Sequence, residues 1–254
     1  MQPTYIHIQS IRSTNTYAAQ NAATMEHGTV VYADCQTAGR GQRGNSWESE
    51  DYKNITMSML LRPARVKPSC QFWLSEAVAM AVVHTLDRYV GEGVSVKWPN
   101  DIYWHDRKIC GILVEHSLSG RKIEHTIAGI GLNINQPEFR SDAPNPVSLL
   151  QITGKETPLD DVLHFLSEEL LRLADSLPES AEALHGEFLS RLYRRSGMHT
   201  YRNVADRAAD GLRAGETFEA EIADVAPDGT LTLALADGRR PQFAFKEVEF
   251  VIKK

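Results

Sequence analysis

The chain has 254 residues, a formal net charge of −6, 42% hydrophobic residues and 24% charged residues. That length can bury one large core, or a medium core and a small one, without disulfide or metal staples. The acidic balance gives no electrostatic reason to bind DNA, whose affinity rests on neutralised phosphates, and no run of about 18 apolar residues exists to span a bilayer.

In chain order, Met1–Ile8 lacks a basic region followed by an apolar stretch, so no secretory signal is read and a cytoplasmic location is expected. Ser13-Thr14-Asn15 precedes a helical stretch to Ala23; these residues either cap the helix or turn hydroxyl and amide groups to a polar ligand. Gly28–Asp34 reads as a strand. After Gln36 comes the hexapeptide Gly39-Arg40-Gly41-Gln42-Arg43-Gly44, and then Trp47. The glycines allow close backbone approach, the arginines offer planar cationic forks for phosphate or carboxylate, and the indole suits a flat ring. The hexapeptide satisfies G-x-G-x-x-G, but residues 45–54 are polar, non-periodic and lead to another strand rather than a helix. A dinucleotide-binding turn is therefore rejected. An anion-holding loop remains, beside the simpler reading of a glycine-rich surface hairpin.

Asn54–Leu61 alternates Ile55, Met57, Met59 and Leu61 on one face, and Pro68–Tyr89 carries apolar residues at helical spacing. Val94, Val96 and Trp98 alternate into Lys97-Trp98-Pro99-Asn100-Asp101, where the proline holds Asn100 and Asp101 on a stiff turn. That pair is either an Asx turn or a set of ligands. Lys108–Glu115 and Ile123–Ile134 are further strands; Gly111 inside the first marks close approach of a ligand or another backbone, with Lys108 beside it. Residues 128–135 alternate glycine with apolar side chains, leaving room for a flat ring that Asn133 could read. Thr157-Pro158-Leu159-Asp160 reads as a helix start, with threonine as N-cap and proline in the first turn. From about Tyr201 short alternating segments are joined by turns at Pro227-Asp228-Gly229 and Asp237-Gly238, the pattern of a small β-barrel. The division expected is 1–200 and 201–254. Cys35, Cys70 and Cys110 have no paired spacing and the histidines no ligand spacing, so small buried thiols and no structural metal are expected.

Together, Ser13-Thr14-Asn15, Gln36 with GRGQRG and Trp47, KWPND at 97–101, Lys108-x-x-Gly111-Ile112-Leu113-x-Glu115 and Gly129-Ile130-Gly131-x-Asn133 resemble the biotin protein ligases, over about Ser13 to Leu150. The resemblance implies an α+β fold: a mixed β-sheet flanked by helices, of the class II aminoacyl-tRNA synthetase and biotin ligase type, with a small C-terminal SH3-like β-barrel. Bifunctional members carry an N-terminal DNA-binding winged helix, and no such pattern precedes Ser13, so the likeness is to the monofunctional group with no repressor role. It implies that biotin and ATP, with Mg2+, form biotinyl-5′-AMP, and that a lysine of the biotin carboxyl carrier protein of a biotin-dependent carboxylase then takes the biotinyl group.

Carried over by position, Ser13, Thr14, Asn15, Gln36, Gly39, Arg40, Gly41, Gln42, Lys108 and Gly111 are implied to bind biotin. Arg40, Arg43, Trp47, Asn100 and Asn133 are implied to bind the nucleotide, Trp47 by stacking on adenine. Lys108, Arg40 and Asp101 are implied to be catalytic, with Asp101 also a candidate Mg2+ ligand. Gln42 stands where many relatives carry arginine, which implies looser retention of the adenylate. Related ligases can pair through sheet edges, so a homodimer is allowed; no DNA or membrane partner is expected.

Overall fold

The structure, a computed structural model, describes residues 1–41, 46–140, 145–205 and 211–252. Its first sheet is built from β1 (Thr4–Ile11), β2 (Thr29–Gln36), β3 (Ile55–Leu61), β4 (Val94–Lys97), β5 (Asp101–Trp104), β6 (Arg107–Ser119) and β7 (Lys122–Leu132), in the spatial order β1-β2-β3-β7-β6-β5-β4. β1 runs parallel to β2 while the other neighbours are antiparallel, so the sheet is mixed, as expected.

Strand side chains alternate between faces, and the helices sort accordingly. Val30, Met57, Met59, Ala128 and Ile130 share a core with α2 (Phe72–Asp87) and α4 (Leu159–Asp175). Val31, Leu60 and Ile127 point the other way and pack with Ala18 and Ala22 at α1 (Thr14–Asn21). This corrects the one-faced reading of β3: all its residues are buried, because α1 and α4 both pack on it. Ser13 caps α1 from an extended conformation, its hydroxyl accepting from Thr16 N.

Two short helices, α3 (Leu149–Thr153) and α5 (Ala181–Ser190), complete the helical layer. The expected start of α4 is corrected by one residue. Thr157 is clamped by Asn135, whose Oδ1 accepts from Thr157 N at 2.9 Å and whose Nδ2 donates to Thr157 O at 2.8 Å. Pro158 is left in the cap position, with no side-chain bond, and α4 begins at Leu159.

The second sheet comprises β8 (His199–Asn203), β9 (Thr217–Val225), β10 (Leu231–Leu235), β11 (Gln242–Phe243) and β12 (Val248–Phe250), ordered β11-β10-β9-β8-β12 and antiparallel. Gly229 and Gly238 take the positive φ their turns require, +94° and +87°. The sheet docks on the first unit: Trp98 Nε1 donates to Gly229 O at 3.0 Å, and the Phe245 ring meets Trp98 edge-on at 5.4 Å. No helix among the described residues is long and apolar enough to cross a membrane.

Candidate active site

The pairing register lays out the site before any side chain is considered. Thr56 of β3 pairs with Gly131 of β7, Gly131 with Gly111 of β6, and Gly111 with Asp101 of β5, a row across four strands. A second row runs Ser58, Gly129, Leu113. Both lie on the α1 face, since Leu60 and Ile127 have the same parity. Glycines at three of these positions strip the sheet to its backbone and make room for side chains that lie flat on it, Asn15 over Gly129 and Trp47 over Gly111 and Gly131.

At one end of this face is a buried polar cluster. Gln36 Oε1 accepts from Thr14 N at 2.9 Å and from Thr14 Oγ1 at 3.2 Å. Ser58 Oγ lies 2.8 Å from Thr14 Oγ1 and 2.5 Å from Asn15 Oδ1, while Asn15 Nδ2 donates to Leu113 O and to Glu115 Oε2. A Cβ on Gly129 would run into the Asn15 carboxamide, so glycine is what lets that side chain lie flat on the sheet. Ser58 went unassigned in the sequence reading. Its signal was a lone hydroxyl in the apolar run Ile55–Leu61.

The glycine loop folds back on itself and does not open a helix. Arg40 bridges antiparallel to Ser46, Trp47 N donates to Gly39 O at 3.0 Å, and Gly39 has no room for a side chain beneath Trp47. Gln42, Arg43 and Gly44 lie outside the described residues. The Trp47 indole lies on Gly111 and Gly131, where a Cβ at either would strike the ring, and its buried Nε1 has no partner among the described residues. Lys108 Nζ stands 5.5 Å from the centre of that ring.

Lys108 is fixed by its backbone, which bonds Asn145 O at 2.7 Å and accepts from Val147 N at 2.9 Å, and its Nζ pairs with Asp101 Oδ1 at 2.6 Å. Arg40 pairs with Glu115 at 2.9 Å. Asn133 Nδ2 donates to Val147 O at 3.0 Å, and its buried Oδ1 has no partner among the described residues. Asn100 is committed to the backbone, its Nδ2 donating to Ile112 O at 2.5 Å. Lys97 lies between the Tyr103 and Phe250 rings, 5.2 and 5.4 Å from their centres. Burial pushes its ammonium below lysine's ordinary pKa, with Asp101 pulling the other way. Cys110 is buried and its thiol is pushed well up, leaving it unreactive; Cys35 and Cys70, expected to be buried, are only partly so.

Ser13, Thr14, Asn15, Gln36, Arg40, Gly41, Trp47, Asn100, Asp101, Lys108, Gly111 and Asn133 line one cavity of about 1410 Å³. Gly39 does not line it; it lies against Trp47 and Gln36, which do. The sequence reading missed one part of the wall: Lys246 of the β11–β12 turn and Glu249 and Phe250 of β12 line the same cavity, from too far along the chain for spacing to reveal. The described residues offer no cage that would hold a magnesium ion without the nucleotide's phosphates. Among the described residues no three of His, Cys, Asp or Glu converge, and Asp101, the expected ligand, pairs with Lys108.

Solved structures define the class of fold. The biotin protein ligase of Aquifex aeolicus in complex with biotin and ATP matches with a TM-score of 0.77, covering 98% of this chain and 99% of that one at 22% identity. The Leishmania major enzyme in complex with biotinyl-5-AMP matches with a TM-score of 0.61, covering 96% of this chain and all of that one at 22% identity. The fold is thus the one biotin protein ligases adopt. A profile of the biotin/lipoate A/B protein ligase family matches residues 7–133, half of the chain. The biotin–[acetyl-CoA-carboxylase] ligase of Paracoccus denitrificans is 32% identical over 167 residues, 63% of this chain and 68% of the relative. The bifunctional ligase/repressor BirA of Bacillus subtilis is 38% identical over 155 residues, 59% of this chain and 46% of the relative. The chain belongs to the biotin/lipoate A/B protein ligase family, and it spans under half the length of the Bacillus relatives it matches.

Proposed function

We propose that this chain is a biotin protein ligase that joins biotin to ATP and passes the biotinyl group to a lysine of a biotin carboxyl carrier protein. One observation carries the reading: β7 presents Gly129 under the polar cluster, Gly131 under Trp47, and just beyond the strand Asn133 with an orphaned acceptor. Four residues at a strand rise of ~3.4 Å separate the outer two by roughly 13 Å, the span of an extended two-part ligand. An unmatched buried acceptor is costly, and the exocyclic amino group of adenine is a donor that would satisfy it.

In the first half-reaction a biotin carboxylate oxygen attacks the α-phosphorus of ATP, the bond to the bridging oxygen of pyrophosphate breaks, and pyrophosphate leaves. Two anions must meet, so fixed positive charge at the junction lowers the barrier. Lys108 supplies it from a backbone anchored on both sides, and Arg40 assists at the carboxylate. The polar cluster of Ser13, Thr14, Asn15 and Gln36 takes the ureido head of biotin. Stacking of the base on Trp47 adds about 1–3 kcal/mol. In the second half-reaction the carrier lysine, as the neutral amine, attacks the acyl carbon of the mixed anhydride. The bond from that carbon to the phosphate oxygen breaks, AMP departs and the nitrogen's surplus proton passes to solvent; Asp101, paired with Lys108 beforehand, is the carboxylate that orients the amine. The C-terminal sheet is the SH3-like module of residues 201–254, with β8 extending it back to His199.

Biotin-dependent exchange of pyrophosphate into ATP, followed by biotinylation of a carrier domain, tests this. Lys108→Ala is expected to lower the exchange rate by about 10²–10³. Exchange that responds to lipoate and ignores biotin, or a Lys108→Ala variant with near-normal exchange, would overturn the assignment.

A further inference from the structure

Two cations on the cavity wall are already held by carboxylates of the chain itself: Lys108 by Asp101 and Arg40 by Glu115. The glutamate is the better anchored of its pair. Its Oε2 accepts from Asn15 Nδ2 at 2.9 Å, and Asn15 is in turn fixed by Ser58 and by Leu113 O. Arg40 reaches Glu115 Oε1 from the glycine loop, with its side chain about half exposed at 49% against 36% for the glutamate. Glu115 therefore behaves as a fixed anion, tied into the cluster at the floor of the site, and Arg40 as the partner free to leave.

We propose that Glu115 is a positioning residue that keeps Arg40 in reserve by standing in for the carboxylate of the incoming acid, so that a ligand gains Arg40 only by bringing a carboxylate of its own. The exchange is between like interactions, one guanidinium–carboxylate pair for another, so its net cost is small. A pair this exposed is weak enough to be displaced. An uncharged analogue has nothing to offer in exchange, and Arg40 stays with Glu115. Left unpaired, the same guanidinium would attract phosphate or any other anion into the cavity ahead of the acid. The inference rests on the reading of this site as one that takes biotin.

Calorimetric titration separates the two. The ligands are biotin and its alcohol analogue, in which a hydroxymethyl group replaces the carboxylate; the proteins are the parent chain, E115Q, R40A and the double variant. Glutamine keeps an acceptor for Asn15 but no charge for Arg40. E115Q is expected to bind biotin about two- to fivefold tighter, with no gain for the alcohol. R40A weakens biotin more than the alcohol, and in the R40A background E115Q brings no gain for biotin. Unchanged or weaker biotin binding by E115Q overturns the exchange, as does an equal loss of both ligands in R40A. If the parent chain binds neither ligand, the biotin reading itself falls and the exchange falls with it.

Discussion

Gly129 sits beneath the Asn15 carboxamide, and a methyl group there would occupy the space of that side chain. Asn15 could yield only by giving up Ser58, Glu115 or both, and it holds the polar cluster to the sheet. We predict that Gly129→Ala raises the KM for biotin about tenfold or more while changing the KM for ATP little, with an overpacking cost of about 1–3 kcal/mol. Steady-state kinetics with each substrate varied in turn decide it; equal rises in both constants would place the damage elsewhere. Such sites were only half legible in the sequence. Alternating glycines on β7 announced a cleared face, but what needed the clearance comes from Asn15, more than a hundred positions away. Glu115 stood in a recognised motif without a task until its distance to Arg40 supplied one.

α2 is buried along most of its length, and of its two acids one, Glu76, has no exposed surface. Its Oε1 meets His185 Nδ1 of α5 at 2.9 Å, its Oε2 has no partner, and Asp224 of β9 faces the far side of the same imidazole at 3.5 Å. Desolvation raises the Glu76 pKa from its ordinary 4.5 to about 7, His185 opposing the shift. A raised acid favours the protonated folded state, so its contribution is complete below pH 4.5 and is lost as pH climbs to about 7. The loss is at most ~3 kcal/mol. Glu76→Gln should therefore flatten the stability profile across that window and exceed the parent in stability above pH 7, as denaturant titrations at several pH values would register; a parallel profile would refute it. Among the elements, α2, α4, β3, β6 and β7 were legible because burial imposes their periodicity. β1 was not, since Thr4–Ile11 is an edge strand with exposed residues throughout and a weak pattern. β5 was hidden because Asp101 reads as the end of a turn and is also the first residue of a strand.

Across the whole molecule, Trp98 is the rivet between the two sheets. It is 2% exposed, packs on Phe245 and donates to the β9–β10 turn at Gly229. Trp98→Ala is expected to cost about 3–5 kcal/mol in thermal or denaturant unfolding. Because Lys246, Glu249 and Phe250 line the cavity, ligand binding should weaken with it; a variant that loses stability but binds biotin and ATP normally would show that this part of the wall is dispensable. The second sheet was legible as strands and turns, whereas its share in the site was not, since that share depends on docking that no local pattern encodes. The row Thr56, Gly131, Gly111, Asp101 carries one more implication. A one-residue slip of the β6–β7 pairing on the Gly111 side of the bulge between Ser117 and Leu118 would turn a glycine toward α2 and α4 and a bulky neighbour into the site's floor. The tip near Gly120 can change length freely, because nothing would touch a side chain there. The arms of that hairpin are in effect a reading frame, in which residue count matters to the site as well as residue identity.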